Sequence, residues 1–466
     1  MPKRRKNSII YQVDYSFVKV RIMAGRKKYF IETYGCEMNK SDSIDISLAF
    51  RDRGYEAAPS ETEADVVILN TCAVRENAEE RVMGRLGYYR SLARNRRNPP
   101  LIVLAGCMAQ ERGEEIARLF PEVGVVTGTY HILDIPRYVK HFEDRGEGLV
   151  ALDKESYVFS QYRGKRAEAY RAWVTIMKGC SNFCSYCIVP SLRGPEKSKR
   201  SDDVLTEVEE LTARGVVEIT LLGQNVNAYG LDSGDISFIE LLEKIHEVAG
   251  IRWIRFLTSH PKDFTEEVIR RMSILPKLCR HVHLPLQSGS DRLLRLMNRK
   301  HSIDHYRDVV GAIRRHMPLA SITTDLIVGF PTESERDFSD TLEAVREYRF
   351  DDAFTYRYSE RPFTRAAGIR EKVPERTAQR RLEELIALQR SITLEKNREE
   401  IGKRRTVLVE RQSKKNRSEQ LCKMETGKMV VVRTDASPGE FIEVEIDGIS
   451  GSTLRGTQLG KNGRVP

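Results

Sequence analysis

One short segment constrains this chain more than any other. Between Lys178 and Gly194, Cys180, Cys184 and Cys187 follow one another in the spacing Cys-x3-Cys-x2-Cys. Thiolates this close along a backbone can each reach a different iron of a cubane iron–sulfur cluster and so claim three of its corners. No fourth cysteine and no histidine stands beside them, whereas structural zinc sites close with four ligands. The segment therefore reads as an open cluster site rather than a zinc knuckle, with one iron free to take a small molecule.

At 466 residues the chain is long enough for two to four domains. With 40% hydrophobic and 31% charged residues and no apolar run that could span a bilayer, it reads as a soluble globular protein without a membrane partner. Eight cysteines in so long a chain are not a disulfide framework; they fit thiols kept reduced for metal, hence a cytoplasmic location. The net charge of +10 is concentrated at the ends: residues 1–28 carry nine Lys/Arg against one Asp, and residues 401–466 carry thirteen against eight Asp/Glu. Such placement predicts an appendage that meets a polyanion while the middle of the chain carries out chemistry. Residues 1–27 form a basic extension, and Met23, directly before the first strand, reads like a natural start.

From 28 to 150, strand and helix alternate as in an open parallel α/β sheet. Lys28–Tyr34 is a strand ending at Gly35 and Cys36, followed by a helix capped by Asn39 or Ser41. Asp65–Thr71 is a buried strand ending at Cys72, with a helix over Arg75–Arg94, and Leu101–Ala105 ends at Gly106 and Cys107 before the helix Met108–Phe120. Each of three successive strands thus delivers one cysteine at its carboxyl end, the edge where open α/β sheets bind ligands. Cysteines 36 and 35 residues apart converge there, and this set predicts a second three-cysteine cluster. Gly35 and Gly106 allow close backbone approach, and the helix N-termini just beyond favour an anionic iron–sulfide group. Residues 140–170 are polar and read as a linker.

The Cys180 loop resembles the signature of the radical S-adenosylmethionine (SAM) superfamily, in which the amino and carboxylate groups of SAM occupy the open iron. Six strands, beginning near Trp173, Glu218, Trp253, His281, Ile322 and Ala353, alternate with helices and predict a partial (β/α)6 barrel over residues 165–398. At its other strand ends, Gly223 and Gly289 permit close approach, while Gln224, Gln287 and Ser288 offer neutral hydrogen bonds to SAM. Gly223, Gln224, Gln287 and Ser288 are the predicted cofactor contacts, and no catalytic side chain is predicted beyond the cluster ligands. His260, His281 and His283 read as packing or polar lining, and Cys279 and Cys422 as structural. Glu375–Arg398 is a long charged helix leading to five short strands over 401–464, an all-β OB-like barrel suited to nucleic acid. Ser413–Arg417 in its first loop is a phosphate-facing candidate.

Taken together, Thr33–Asn39, Asn70–Asn77, Ala105–Gln110 and Gly179–Cys187, extended by His283–Ser290, Thr323–Pro331 and the Ser413 loop, resemble the radical SAM methylthiotransferases, over nearly everything after residue 28. Within them the chain is most similar to the branch acting on N6-isopentenyladenosine (dimethylallyladenosine) in tRNA. The ribosomal-protein branch would show Gly-Cys-Pro-Lys-Asn at the first cysteine. The branch acting on threonylcarbamoyladenosine, the alternative substrate, tends to Gly-Cys-Lys-Val-Asn, and Met38 departs from both. Glu37 stands where the family has Gln, and Arg361–Thr364 where it has Pro-Gly-Thr. The resemblance implies two [4Fe-4S] clusters, on Cys180, Cys184 and Cys187 and on Cys36, Cys72 and Cys107, with SAM as co-substrate and a TRAM domain at the end gripping tRNA. It implies methylthiolation of carbon 2 of an adenine next to the anticodon, a monomer, and an electron donor such as a flavodoxin or ferredoxin.

Overall fold

The computed structural model describes residues 27–73, 76–95, 98–154, 158–162, 167–168, 170–414 and 416–460. The expected start at Met23 lies outside them, as do Arg75 and Lys415. The chain divides into two compact units: residues 1–166, 178–181 and 187–196 form the first, and residues 167–177, 182–186 and 197–466 the second.

The first unit is built on a six-stranded sheet in the order β2-β1-β3-β4-β5-β6, with β1 at Lys28–Thr33, β2 at Glu56–Ala57, β3 at Val66–Thr71, β4 at Leu101–Gly106, β5 at Val123–Thr127 and β6 at Leu149–Ala151. Every pairing is parallel. The continuous apolar runs of β3 and β4 are buried along their whole length because helices cover both faces. On one face α2 (Glu76–Asn95) and α3 (Cys107–Leu119) pack over Val67, Leu69, Ile102 and Leu104; on the other, α1 (Glu37–Asp52) and α4 (Ile135–Arg145) pack over Ile68, Val103 and Val125.

Two expectations are corrected here. The cap of α1 is Cys36, not Asn39 or Ser41: Asn39 occupies the third helical position, and its side-chain oxygen accepts from the Cys36 N–H at 3.3 Å. Nor does a linker begin at residue 140. Lys140–Arg145 completes α4, closed by Gly146 in the left-handed conformation (φ +68°), and β6 follows as an edge strand on β5. Charged residues on the solvent side of an amphipathic helix look like linker composition when the buried Tyr138, Val139 and Phe142 are overlooked.

The second unit holds the partial barrel. Short strands β7 (Ala167–Glu168), β9 (Met177–Lys178) and β10 (Lys197–Ser198) accompany six principal ones: β8 (Arg171–Thr175), β11 (Glu218–Leu222), β12 (Trp253–Phe256), β13 (His281–His283), β14 (Ser321–Val328) and β15 (Asp352–Arg357). They form two parallel arrays, β12-β11-β8 and β13-β14-β15, joined by an isolated parallel bridge between Ile254 and Leu278. The connecting helices bury one apolar stripe each against a single core running from Ala172 to Ile392. The expected helix over Asp291–Arg299 stops at Leu296, because Asn298 adopts φ +54° and turns its amide back onto the Phe183 carbonyl. A 24-residue helix, Glu375–Arg398, leads into a closed five-stranded barrel, β16 (Arg404–Gln412), β17 (Glu419–Met424), β18 (Met429–Arg433), β20 (Thr453–Gln458) and β19 (Phe441–Ser450) in spatial order. The OB-like expectation is met, since closure leaves no sheet edge unpaired.

Candidate metal centre and cofactor site

In the first unit the sheet brings the dispersed cysteines together. Thr33 pairs with Asn70 and Thr71 with Gly106, so Cys36, Cys72 and Cys107 leave three adjacent strands at one edge. Gly35 (φ +131°) and Gly106 (φ +93°) precede the first and third. A Cβ at residue 35 would fall 2.6 Å from the Cys72 Cβ, and one at 106 would fall 2.5 Å from the Thr71 carbonyl oxygen. Only glycine allows the chain to turn there with the strands this close. The turn is held by side-chain hydrogen bonds: Asn39 donates to the Thr71 carbonyl at 3.0 Å, Asn70 donates to the Asn39 carbonyl at 2.8 Å, and the Thr71 hydroxyl donates to the Ala105 carbonyl at 2.6 Å. Cys72 and Cys107 are buried and Cys36 is exposed. Burial pushes the Cys107 thiol up; the Arg193 guanidinium opposes this, while Cys36 and Asp42 add to it. Among the described residues no three His, Cys, Asp or Glu are gathered as for a single metal ion; a cubane needs its thiolates on separate irons and therefore farther apart.

The same unit carries most of the contiguous loop. Gly179 (φ +78°) precedes Cys180, and a side chain there would collide with the Pro195 carbonyl, while the Cys180 N–H donates to the Gly194 carbonyl at 3.0 Å. After Cys187 the short helix α5 (Val189–Arg193) packs on the strand-end edge. Ile188 and Leu192 join Ala73 and Cys107 in one apolar cluster, and the Thr129 hydroxyl donates to the Leu192 carbonyl at 2.7 Å. Five of the six candidate ligands therefore belong to one compact unit.

Cys184 belongs to the second unit, where an Arg299 N–H lies 3.5 Å from its sulfur and another donates to the Pro285 carbonyl at 2.9 Å. At the carboxyl ends of this barrel, Phe183, Thr258, Gln287 and Asn298 all have positive φ, a conformation that side chains adopt at a cost of order 1–3 kcal/mol. Several buried polar atoms there have no hydrogen-bond partner: Gln287 Oε1, Ser185 Oγ, His260 Nε2, Arg299 Nε and both ring nitrogens of His301. Burial, with Arg299 and His305 nearby, pushes the His301 imidazole down to about 3, and burial likewise drives His260 far below its usual range. A region so supplied with strain and unsatisfied polar groups is suited to a polar ligand.

Of the four predicted cofactor contacts, Gln287 fits this pattern. The Ser288 hydroxyl is committed to Thr341 and to the Ser290 N–H, Gly223 packs against Met177, and Gln224 is half-buried. His260, His301, Arg299 and Ser185 were not among them; the strand-end placement of Thr258–Pro261 was the available signal. His281 and His283 do line the barrel, each 3.0 Å from the Thr323 hydroxyl. Cys279 and Cys422 are buried with thiols pushed up to about 12 by burial, as inert cysteines should be.

A Cys-x3-Cys-x2-Cys loop in a chain with a partial barrel of six parallel strands is the pattern of a radical SAM protein, and residues 174–345 match the Radical SAM superfamily. Residues 28–128 match an uncharacterized protein family, UPF0004, and residues 398–459 the TRAM domain. The fold is similar to that of the radical S-adenosylmethionine methyltransferase TsrM from Kitasatospora setae, solved with cobalamin and a [4Fe-4S] cluster bound, with TM-score 0.52 and 13% identity over 74% of this chain and 77% of that one. Over 444 residues the chain is 42% identical to the tRNA-2-methylthio-N(6)-dimethylallyladenosine synthase of Moorella thermoacetica, covering 94% of this chain and all of that protein. It is 44% identical over 421 residues to the protein of the same name from Dictyoglomus thermophilum, covering 90% and 96%. The chain belongs to the family of tRNA-2-methylthio-N(6)-dimethylallyladenosine synthases.

Proposed function

We propose that the protein replaces the hydrogen on carbon 2 of N6-dimethylallyladenosine in tRNA by a methylthio group, using SAM and iron–sulfur chemistry. The observation that carries this reading is the convergence of Cys36, Cys72 and Cys107 at the ends of three adjacent strands, within a unit that also contains Cys180 and Cys187. One cluster on the Cys180, Cys184 and Cys187 loop accounts for SAM cleavage; a second, on the strand-end set, gives the sulfur a place to be held. When bound, cluster and SAM supply the 5′-deoxyadenosyl radical that a C–H bond too inert for any side-chain base requires.

The chain's own residues bind and position. Gly35, Gly106 and Gly179 let the backbone close on each cluster, and Asn39 and Asn70 lock the strand-end turn. Gln287 faces SAM, with Gly223, Gln224 and Ser288 as further candidate contacts; His260 and His301, held neutral by burial, donate or accept without adding charge beside a sulfonium. The closed terminal barrel, with Arg411, Lys414 and Arg417 at its first loop, grips the tRNA backbone, and the substrate adenosine is turned out to reach the site. The domains run over 28–150, 165–398 and 401–464. We read the protein as a cytoplasmic monomer reduced by a flavodoxin- or ferredoxin-like donor; among the described residues no helix is long and apolar enough to cross a membrane.

Mass spectrometry of nucleosides from anticodon stem-loops, incubated with reconstituted protein, SAM and reductant, tests the reading. The expected outcome is 2-methylthio product from the dimethylallyl substrate. Product only from a threonylcarbamoyl stem-loop, or only from a ribosomal protein, would overturn it.

A further inference from the structure

Exposed apolar side chains occur singly on any protein surface and need no explanation. Phe363 combines exposure with strain: it is 80% exposed and its φ is +64°. Among the described residues only Phe183 is likewise a large, exposed apolar residue with a left-handed backbone, and it lies inside the cysteine loop, where Asn298 holds its carbonyl. Phe363 is at the tip of a turn, Arg361–Thr364. The Thr364 N–H closes that turn on the Arg361 carbonyl at 3.4 Å, and the Thr364 hydroxyl donates to the same oxygen at 2.7 Å. Proline second and a left-handed residue third is the type II pattern, which favours glycine in the third place. A phenylalanine there strains the backbone, yet its ring meets no other aromatic ring and no cation among the described residues.

The turn has a rigid mount. Ala366 is buried against Leu293, Met297, Ile327 and Phe330 and donates its N–H to the Ser185 carbonyl at 2.8 Å, while Lys372 donates to the Ala366 and Ala367 carbonyls at 3.3 and 3.0 Å. Ser185 directly follows Cys184, so the turn beyond β15 borders the candidate SAM site. Its surroundings are basic. Residues 357–372 carry five Lys/Arg against two Glu, and Arg365 and Arg370 are exposed and without an ion pair among the described residues. An exposed ring on a fixed support beside unpaired arginines suits an unpaired nucleobase: the ring stacks on the face of the base and the cations meet its phosphates. Backbone strain of this kind persists at sites that clamp a ligand.

We propose that Phe363 is a stacking platform for the substrate: an unpaired nucleobase of the anticodon loop, beside the adenosine to be modified, lies on its ring, with Arg365 and Arg370 on the flanking phosphates. The proposal rests on the tRNA reading above and deepens it. Gripping a neighbour of the target holds the loop in place while the target adenosine is turned out of its stack.

The test measures binding of the reconstituted full-length protein to an anticodon stem-loop carrying dimethylallyladenosine, by fluorescence anisotropy, with thermal melts and iron counts reporting the fold. Phe363→Gly gives the turn the residue it favours. This variant is expected to melt no lower than the parent, while its dissociation constant for the stem-loop rises about tenfold, the worth of one base stacked on an aromatic ring. Phe363→Tyr should bind as the parent does, and Phe363→Leu, apolar but not aromatic, as the glycine variant does. In stem-loops with one abasic position each, a single position beside the target should remove the difference between the parent and Phe363→Gly. A parent that binds no stem-loop would refute the tRNA reading and this proposal with it. A parent that binds, with Phe363→Gly binding equally well or with no abasic position removing the difference, would overturn the proposal alone. Intact RNA affinity with slower reduction by a flavodoxin would also overturn it, and would give the ring to a protein partner instead.

Discussion

The two ends of the barrel in the second unit are built on opposite terms. At the amino ends of the strands, charges are paired and the small closed barrel is seated on them. Arg255 bridges Glu218 at 2.7 Å and donates to the carbonyls of Met424 and Glu425 at 2.9 and 3.0 Å; Arg171 meets Glu410 at 2.8 Å, and Lys428 meets Asp351 at 3.2 Å. Trp253 and Phe441 add an edge-to-face contact at 4.9 Å. At the carboxyl ends, by contrast, polar atoms are buried without partners, four non-glycine residues adopt positive φ, and Arg299 touches Cys184. One end commits most of its charged groups to holding the small barrel in place; the other leaves a cluster of polar atoms unpaired. Strain and unpartnered polar atoms gathered this way are what a ligand-completed site would show.

The largest effects should fall on the cysteines. Replacing Cys180, Cys184 and Cys187 together by Ala is expected to abolish reductive cleavage of SAM, read as loss of 5′-deoxyadenosine. Replacing Cys36, Cys72 and Cys107 should abolish methylthiolation while SAM cleavage persists. If both triple variants lose cleavage equally, the carboxyl end of the barrel is not a self-sufficient SAM site. At the amino end, Glu218→Ala leaves the Arg255 guanidinium buried without its carboxylate and should lower stability by about 3–5 kcal/mol in denaturant melts, with SAM cleavage per folded molecule unchanged. Loss of cleavage in the folded variant would erase the distinction between the two ends.

The sequence exposed one half of this arrangement more readily than the other. The contiguous loop was legible because cluster spacing is a local property, written in the separation of Cys180, Cys184 and Cys187. The strand-end set was legible only through an argument about sheet edges, and its agreement with the observed order β1-β3-β4 depends on pairing that no local pattern states. Arg193 and Asp42, or Arg255 and the carbonyls of β17 and its turn, are 151 and 169–170 residues apart and meet only after folding. Arg193 falls within the Lys178–Gly194 segment, but nothing local to either residue states its partner. The helix misread as linker and the misassigned cap both arose where burial, not composition, decides: Val139 and Phe142 hold α4 down, and Asn39 is turned inward to Cys36.

Smaller perturbations sharpen the contrast. Gln287→Ala removes the carbonyl oxygen that is buried without a partner, and should raise the dissociation constant for SAM about tenfold, the worth of one well-made hydrogen bond. Equilibrium dialysis on the reconstituted protein reads it, and unchanged affinity would reassign Gln287 to strain alone.

Acid should separate the two ends by the pH at which each fails. At the carboxyl end His301 is buried as a neutral imidazole held down at about 3, with Arg299 and His305 opposing its charge and the His260 ring at 5.6 Å. The unfolded chain protonates this histidine near 6.5, so between that value and 3 the unfolded state binds more protons and stability falls as pH falls. One such group lowers stability by roughly 1 kcal/mol from pH 7 to 5.5. At the amino end Glu218 has the opposite character. Burial alone would raise its carboxyl, yet Arg255 and Lys423 bring it below the ordinary carboxylate value, so its contribution persists until pH falls through the carboxylate range. Thermal melts should therefore drop between pH 7 and 5.5, and His301→Gln should lessen that slope by its own share while leaving the steeper loss below pH 4.5 in place; His260 and His281, likewise held down by burial, supply the rest of the slope. A slope unchanged by the substitution would move the first acid-sensitive step away from His301.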